Sequence, residues 1–388
     1  MAASLRVRDQ HIAVFGGSGS GKTVLVSSFY GAAQEPSFIK ESLFHVIADD
    51  TGQGHRLRQI YLGMKNDAKT PPTNRFAAVP YSFTIKLKDP GDAKAAKTRP
   101  FDALRLIWHD YPGEWFEQEP SSEAEATRRI DTFRSLLRSD VAMVLVDGQK
   151  LLNYAGDEEK YLKSVFGDLR DGLLRLRDDL LDGGEKLNEF PRVWVIALSK
   201  ADLHPEVDAH GFQDLLIQKA ADDIAALRDV VTDMVQFPEA LSLGEDFLLL
   251  SSAKFEIERI EVTTRVGLDL ILPVASILPL QRLAQWSQRF DIPRRLLDVF
   301  ADNAEAIALV LVNAKAVQGA IGRLPKVGPL LALILPVLVQ AANLNKVKIE
   351  EVNAAARAKH ETLTAVLSQF RLDLQQGEDD GIFVKSNR

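Results

Sequence analysis

The chain has 388 residues, a formal net charge of −7, 46% hydrophobic and 26% charged residues, and no cysteine. This composition excludes collagen-like, disordered and polytopic membrane classes, and the lack of cysteine excludes a disulfide scaffold, a Cys-ligated zinc site and a thiol nucleophile. Mild acidity excludes the basic footprint of a general nucleic-acid binder, and the length suffices for a full core in about two to three domains at roughly 150 residues each. The first apolar stretch, His11–Phe15, is too short for a signal-peptide core, so a cytoplasmic protein is expected.

Strand-like runs occur at His11–Phe15, Tyr81–Leu87, Leu104–Trp108, Val141–Val146, Val193–Leu198 and Phe247–Leu250. Helical periodicity lies between them. One helix follows Ser122, whose Glu125 three residues on completes a capping-box pattern before Ile130, Phe133 and Leu137. A second runs through Leu162, Val165, Leu169, Leu173, Leu176 and Leu180, and a third through Leu215, Ile224, Leu227 and Val231. Alternating strands and helices predict a three-layer α/β/α domain with a mostly parallel six-stranded sheet. Only the polar loop Lys88–Pro100 separates the second and third strands, so they are expected to pair antiparallel. After about residue 290 the strand signals stop. Residues 286–388 then read as an all-helical region, with apolar periodicity in Leu296–Val317 and Ile349–Leu372 and a frayed polar tail from Gln375.

The first strand runs into Gly16, Gly17, Ser18, Gly19, Ser20, Gly21, Lys22 and Thr23, and a helix opens at Val24. This is GxxxxGK[ST], a phosphate-binding loop. Its glycines let backbone N–H groups converge on the α- and β-phosphates, Lys22 reaches the β- and γ-phosphates, and the Thr23 hydroxyl is a Mg²⁺ ligand. The following helix adds the positive end of its dipole. No GxGxxG register fits these glycines, so a Rossmann site is excluded.

Three further segments fall at the ends of later strands, in order. Asp110-Tyr-Pro-Gly113 is a DxxG, whose carboxylate suits Mg²⁺ through water and whose glycine N–H suits the γ-phosphate. Ser199-Lys200-Ala201-Asp202 corresponds to [NT]KxD, in which the Asp accepts from guanine N1–H and the 2-amino group, donors that adenine lacks. Ser stands here where Asn is usual, which loses the bridging reach of the amide. The last segment is Ser251-Ser252-Ala253-Lys254, read with its SAK at Ser252-Ala253-Lys254, where a backbone N–H at the Ala would meet guanine O6. The seven histidines show no HxH or HxxxH spacing, so a His metal site is not expected.

With these four segments in register the chain resembles the Ras-like, translation-factor-related class of P-loop GTPases over roughly residues 10–260. Asp110-Tyr-Pro-Gly-Glu-Trp115 is similar to a segment of the bacterial YcjX-like stress-associated P-loop proteins and of the bacterial double-GTPase groups. The resemblance implies a GTPase domain over 1–285 that binds GTP/GDP with Mg²⁺, and a switch I threonine that closes on the metal and the γ-phosphate. Thr73 is the candidate and Thr70 the fallback, because the switch I span is lengthened by an insertion at about 31–79 with a helical pattern near Leu57–Met64. Glu114 stands where many hydrolysing relatives carry a water-orienting Gln, which predicts slow hydrolysis. Protein partners or self-association through the switch regions or C-terminal helices are expected. A non-catalytic nucleotide-binding scaffold is the alternative, as is a membrane-associated GTPase touching lipid through the uncharged run at residues 327–344; a buried helical hairpin is the favoured reading of that run.

Overall fold

A computed structural model describes residues 6–71, 80–89, 102–116, 120–187, 190–256, 259–289, 346–358 and 361–386. Strand β1 (Val7–Phe15) lies at the middle of the sheet and is covered on both faces. Ile12 and Val14 enter one buried cluster, and Ala13 and Phe15 enter the other, as the two-residue side-chain period of a strand requires. The same alternation runs through β5 (Val141–Asp147), where all seven residues are buried. β4 (Ala103–His109), β6 (Val193–Ser199) and β7 (Ser242–Leu250) complete a parallel set in the order β7-β6-β5-β1-β4. β3 (Tyr81–Leu87) pairs antiparallel with β4, as the short polar connection between them predicts.

Among the described residues the sheet has eight strands rather than the six read from the sequence. β2 (Phe44–Ala48), inside the long insertion, pairs antiparallel with β3 at one edge. β10 (Phe383–Val384) pairs antiparallel with β7 at the other. One is five residues long and the other two, too short for alternation to register. A separate two-stranded ribbon joins β8 (Lys254–Phe255) to β9 (Ile260–Glu261).

One face of the sheet is covered by α1 (Lys22–Ala33), α3 (Thr51–Asp67), α8 (Ile271–Ser276), α9 (Leu278–Arg289) and α11 (Thr362–Asp379). α2 (Pro36–Glu41) leads from α1 into β2. The other face carries α4 (Glu123–Leu136), α5 (Gly148–Asn153), α6 (Glu158–Leu180) and α7 (Ala209–Met234). α4 begins as the capping pattern predicts: the Ser122 hydroxyl accepts from the Glu125 N–H at 3.2 Å. The Glu125 carboxylate reaches back one residue further than expected, to the Ser121 N–H at 2.9 Å.

The single periodic stretch read over Ile349–Leu372 is two helices, α10 (Lys346–Ala358) and α11, packed on each other. Leu363, Val366, Leu367, Phe370 and Leu374 of α11 belong to the same buried cluster as β1 and β4. From Gln375 to Ser386 the tail is built into the fold rather than frayed. α11 continues to Asp379, Phe383 is 1% exposed, and Arg282 forms a buried ion pair with Asp246 while donating to the Ser386 carbonyl at 2.8 Å. The Ser386 N–H also donates to Asp246 (3.1 Å), so this ion pair fastens the end of the chain to β7. Thr73, Leu296–Val317 and the 327–344 run lie outside the described residues. No helix among the described residues is long and apolar enough to cross a membrane.

Candidate nucleotide site

The loop between β1 and α1 turns twice through left-handed backbone, at Gly19 (φ 78°) and Gly21 (φ 92°), conformations that any other residue would strain. Gly21 is the N-cap of α1, so the loop delivers its N–H groups to the helix's positive end. The Lys22 ammonium sits against the loop itself, donating to the carbonyls of Gly16 (2.6 Å) and Gly17 (3.3 Å), 5.0 Å from the centre of the Tyr111 ring. Tyr111 is buried against Phe15 and Phe133, and its hydroxyl accepts from the Gly16 N–H at 2.9 Å. The loop is therefore propped from beneath by the second residue of the Asp110-Tyr-Pro-Gly113 turn.

That turn presses directly on the loop. A Cβ on Gly113 would lie 2.3 Å from the Ser18 nitrogen, so only glycine fits. Asp110, at the end of β4, is 7% exposed and accepts from the Tyr111 N–H at 2.9 Å. Burial pushes its carboxyl up to about 6, against the opposing pull of Lys22 and of that N–H. The neighbouring His109, stacked on His11, is pushed down to about 4, first by burial and then by His11. Glu114 accepts from the Ser18 hydroxyl at 3.2 Å, while its second oxygen is buried without a hydrogen bond among the described residues.

At the end of β6, Lys200 adopts left-handed backbone (φ 55°) and pairs with Asp147 at 2.8 Å. Asp202 accepts from the Ser251 hydroxyl (2.6 Å) and from the Phe255 N–H (3.2 Å). The partner of Asp202 is thus Ser251, one residue ahead of the Ser252-Ala253-Lys254 register read from the sequence. The Ser252 hydroxyl is buried without a partner among the described residues, Ala253 is fully buried, and Lys254 points outward to Glu256 at 3.0 Å.

These four strand ends, of β1, β4, β6 and β7, open onto one cavity of about 450 Å³. Ser18, Gly19, Ser20, Gly21, Lys22, Thr23 and Val24 form one wall, Asp110 and Gly113 another, and Ser199, Lys200, Asp202 and Ser252 the far end. Gly16, Gly17, Glu114, Ala253 and Lys254 do not line this cavity. Thr70, the fallback switch I threonine, lines the cavity together with Pro71.

The sequence profile of the Double-GTPase 2 family matches residues 10–243, more than half of the chain and the whole run from β1 to the start of β7. The chain belongs to the Double-GTPase 2 family. Among solved structures, the S. cerevisiae Ski7 GTPase-like domain bound to GTP is similar at 16% identity and a TM-score of 0.28, covering 63% of this chain and 43% of that one. This chain therefore spans less than half the length of that relative. No curated protein sequence matches it.

Sequence reasoning missed several residues of this Double-GTPase 2 cavity. Tyr111, Ser251 and Phe255 sit inside or beside the motifs already read, and their roles emerge only from the packing. Asp147 ends β5 and Gln149 lies two residues beyond it, at a strand end that carries no motif. The signal available was position: in the sheet order β5 lies between β1 and β6, so its end falls between the phosphate loop and the Ser199–Asp202 segment.

Proposed function

We propose that this Double-GTPase 2 chain binds GTP with Mg²⁺ and hydrolyses it slowly to GDP, passing the nucleotide state to its C-terminal helices or to a partner. The observation that carries this reading is the convergence of Lys22, Thr23, Asp110, Gly113, Lys200 and Asp202 on one cavity. The loop N–H groups and Lys22 bind and orient the phosphates, and charge that develops on the transferred phosphoryl group falls within their reach. Lys22 leaves two carbonyls of its own loop to do so, which keeps the ammonium within a few ångströms of its working position. Asp202, both oxygens oriented by Ser251 and Phe255, selects guanine by accepting from its N1–H and 2-amino group. The Lys200 stem, its ammonium held by Asp147, covers the base.

Thr23 and Asp110 suit Mg²⁺: both line the cavity, both offer hard oxygen donors, and a carboxylate at the buried end of β4 is stabilised by a cation. Switch I supplies Thr73 or Thr70 as a further oxygen. When bound, the metal neutralises charge on the β- and γ-phosphates.

Glu114 sets the rate. It is fastened to Ser18 of the phosphate loop, and its negative charge opposes the phosphates that a neutral amide would tolerate. Single-turnover hydrolysis of GTP tests the reading in wild type, Glu114→Gln and Lys22→Ala. Slow wild-type turnover, a faster Glu114→Gln protein and an inactive Lys22→Ala protein are expected. Rapid wild-type turnover would sink the role given to Glu114, and zero turnover in both wild type and Glu114→Gln would favour a nucleotide-binding scaffold.

Coupling outward has a physical route. α1 starts at Lys22 and its far end packs on the turn Leu268–Leu270, which in turn packs on α11. A membrane role for residues 327–344 stands as the alternative, and co-sedimentation of the full chain with liposomes would support it.

A further inference from the structure

The Ser199 position leaves guanine recognition incomplete. In the motif the residue before the lysine ordinarily supplies an amide, and here its hydroxyl is 1% exposed and donates to the Val146 carbonyl of the neighbouring strand at 3.2 Å. A short hydroxyl bound in the sheet supplies no donor to a base in the cavity. A purine with its N1/C2 edge on Asp202 turns its N7 edge the opposite way, and that direction is set by topology. Asp202 follows β6, the phosphate loop follows β1, and β5 runs between them. The N7 edge therefore faces the end of β5.

The residue found there is Gln149, which lines the same cavity as Ser199, Lys200 and Asp202 and has an exposed side chain. Its backbone is tightly placed. A Cβ on Gly148 would lie 2.6 Å from the Ser199 carbonyl oxygen and 3.0 Å from that of Lys200, so the β5–α5 turn packs directly on the base-recognition segment. The Gln149 N–H donates to the Asp147 carboxylate at 2.9 Å, and the same carboxylate holds the Lys200 ammonium at 2.8 Å. The side-chain amide donates one N–H to the Asn153 side-chain oxygen Oδ1 at 3.1 Å, which leaves a second N–H for a ligand.

We propose that Gln149 supplies the amide that Ser199 lacks, donating a hydrogen bond to N7 of the bound guanine and so acting as a specificity-determining residue. The inference rests on the guanine-binding reading above and deepens it. It makes recognition a function of two strand ends, β6 reading the N1/C2 edge and β5 the N7 edge.

The test is a titration of the full chain with GDP and with 7-deaza-GDP, which carries C–H in place of N7. Loss of one neutral hydrogen bond weakens binding roughly three- to ten-fold. The expected result is that wild type binds 7-deaza-GDP more weakly than GDP by this factor. Gln149→Ala should lose the same factor for GDP and bind the two nucleotides equally. If Gln149→Ala binds GDP as wild type does, or if it weakens both nucleotides by the same factor, the proposal is overturned. Circular dichroism and thermal unfolding of the variant separate a lost contact from a lost fold, and Gln149→Glu, which keeps the length but removes the donor, gives a second reading that should follow Gln149→Ala. Failure of the parent reading looks different: wild type would then show no preference for GDP over ADP.

Discussion

A Cβ added at Gly113 would stand 2.3 Å from the Ser18 nitrogen and 2.4 Å from the Gly17 carbonyl carbon, both backbone atoms of the phosphate loop. Neither can yield without moving the loop, so Gly113→Ala must displace either the loop or the Asp110–Gly113 turn, at about 1–3 kcal/mol of overpacking. The expected outcome is a lower unfolding midpoint together with GTP binding weakened at least about ten-fold, read by thermal unfolding and titration. A variant with wild-type affinity and stability would show that the two segments are not in contact. At this scale the phosphate loop was legible because its chemistry dictates residue types at fixed spacing. Ser251 was not, since two adjacent serines satisfy the pattern equally, and only the bond to Asp202 distinguishes them. Tyr111 was invisible for another reason: its task is to fill space under Gly16 and Lys22, which no motif records.

Among elements, the five parallel strands were readable because β-branched and aromatic runs alternate with helical periods. The two edge strands were not. β2 exposes Ile47, which blurs its alternation, and β10 is held by partners distant in sequence rather than by its own propensity. The Gly381 carbonyl accepts from the Ala209 N–H that opens α7 (2.7 Å), and the Ile382 carbonyl accepts from the Leu249 N–H (2.9 Å). The buried Arg282–Asp246 pair then closes on Ser386. Removing one member of such a pair leaves an uncompensated buried charge, so Arg282→Ala should cost about 3–5 kcal/mol in chemical denaturation. A loss below about 1 kcal/mol would mean that the tail does not depend on this pair. Because β10 flanks β7, whose end carries Ser251, the same variant should also loosen guanine nucleotide binding.

For the whole molecule, the sequence divided the chain into a nucleotide domain and a helical appendage, whereas the C-terminal α11 and β10 are built into the core and edge of the same sheet. Local periodicity cannot show this, since an amphipathic helix looks the same whichever surface covers its apolar face. The arrangement sets β10 against β7, whose end carries Ser251, and packs α11 in the cluster that also holds α1, so the candidate site and these C-terminal elements share one packed body. The proposed selection of guanine by this body rests on Asp202. Titration of GDP and ADP against wild type and Asp202→Asn tests it most directly. Wild type is expected to prefer GDP by at least about a hundred-fold, and Asp202→Asn to lose most of that preference. Equal or tighter binding of ADP by wild type, or an Asp202→Asn protein that discriminates as well as wild type, would contradict it.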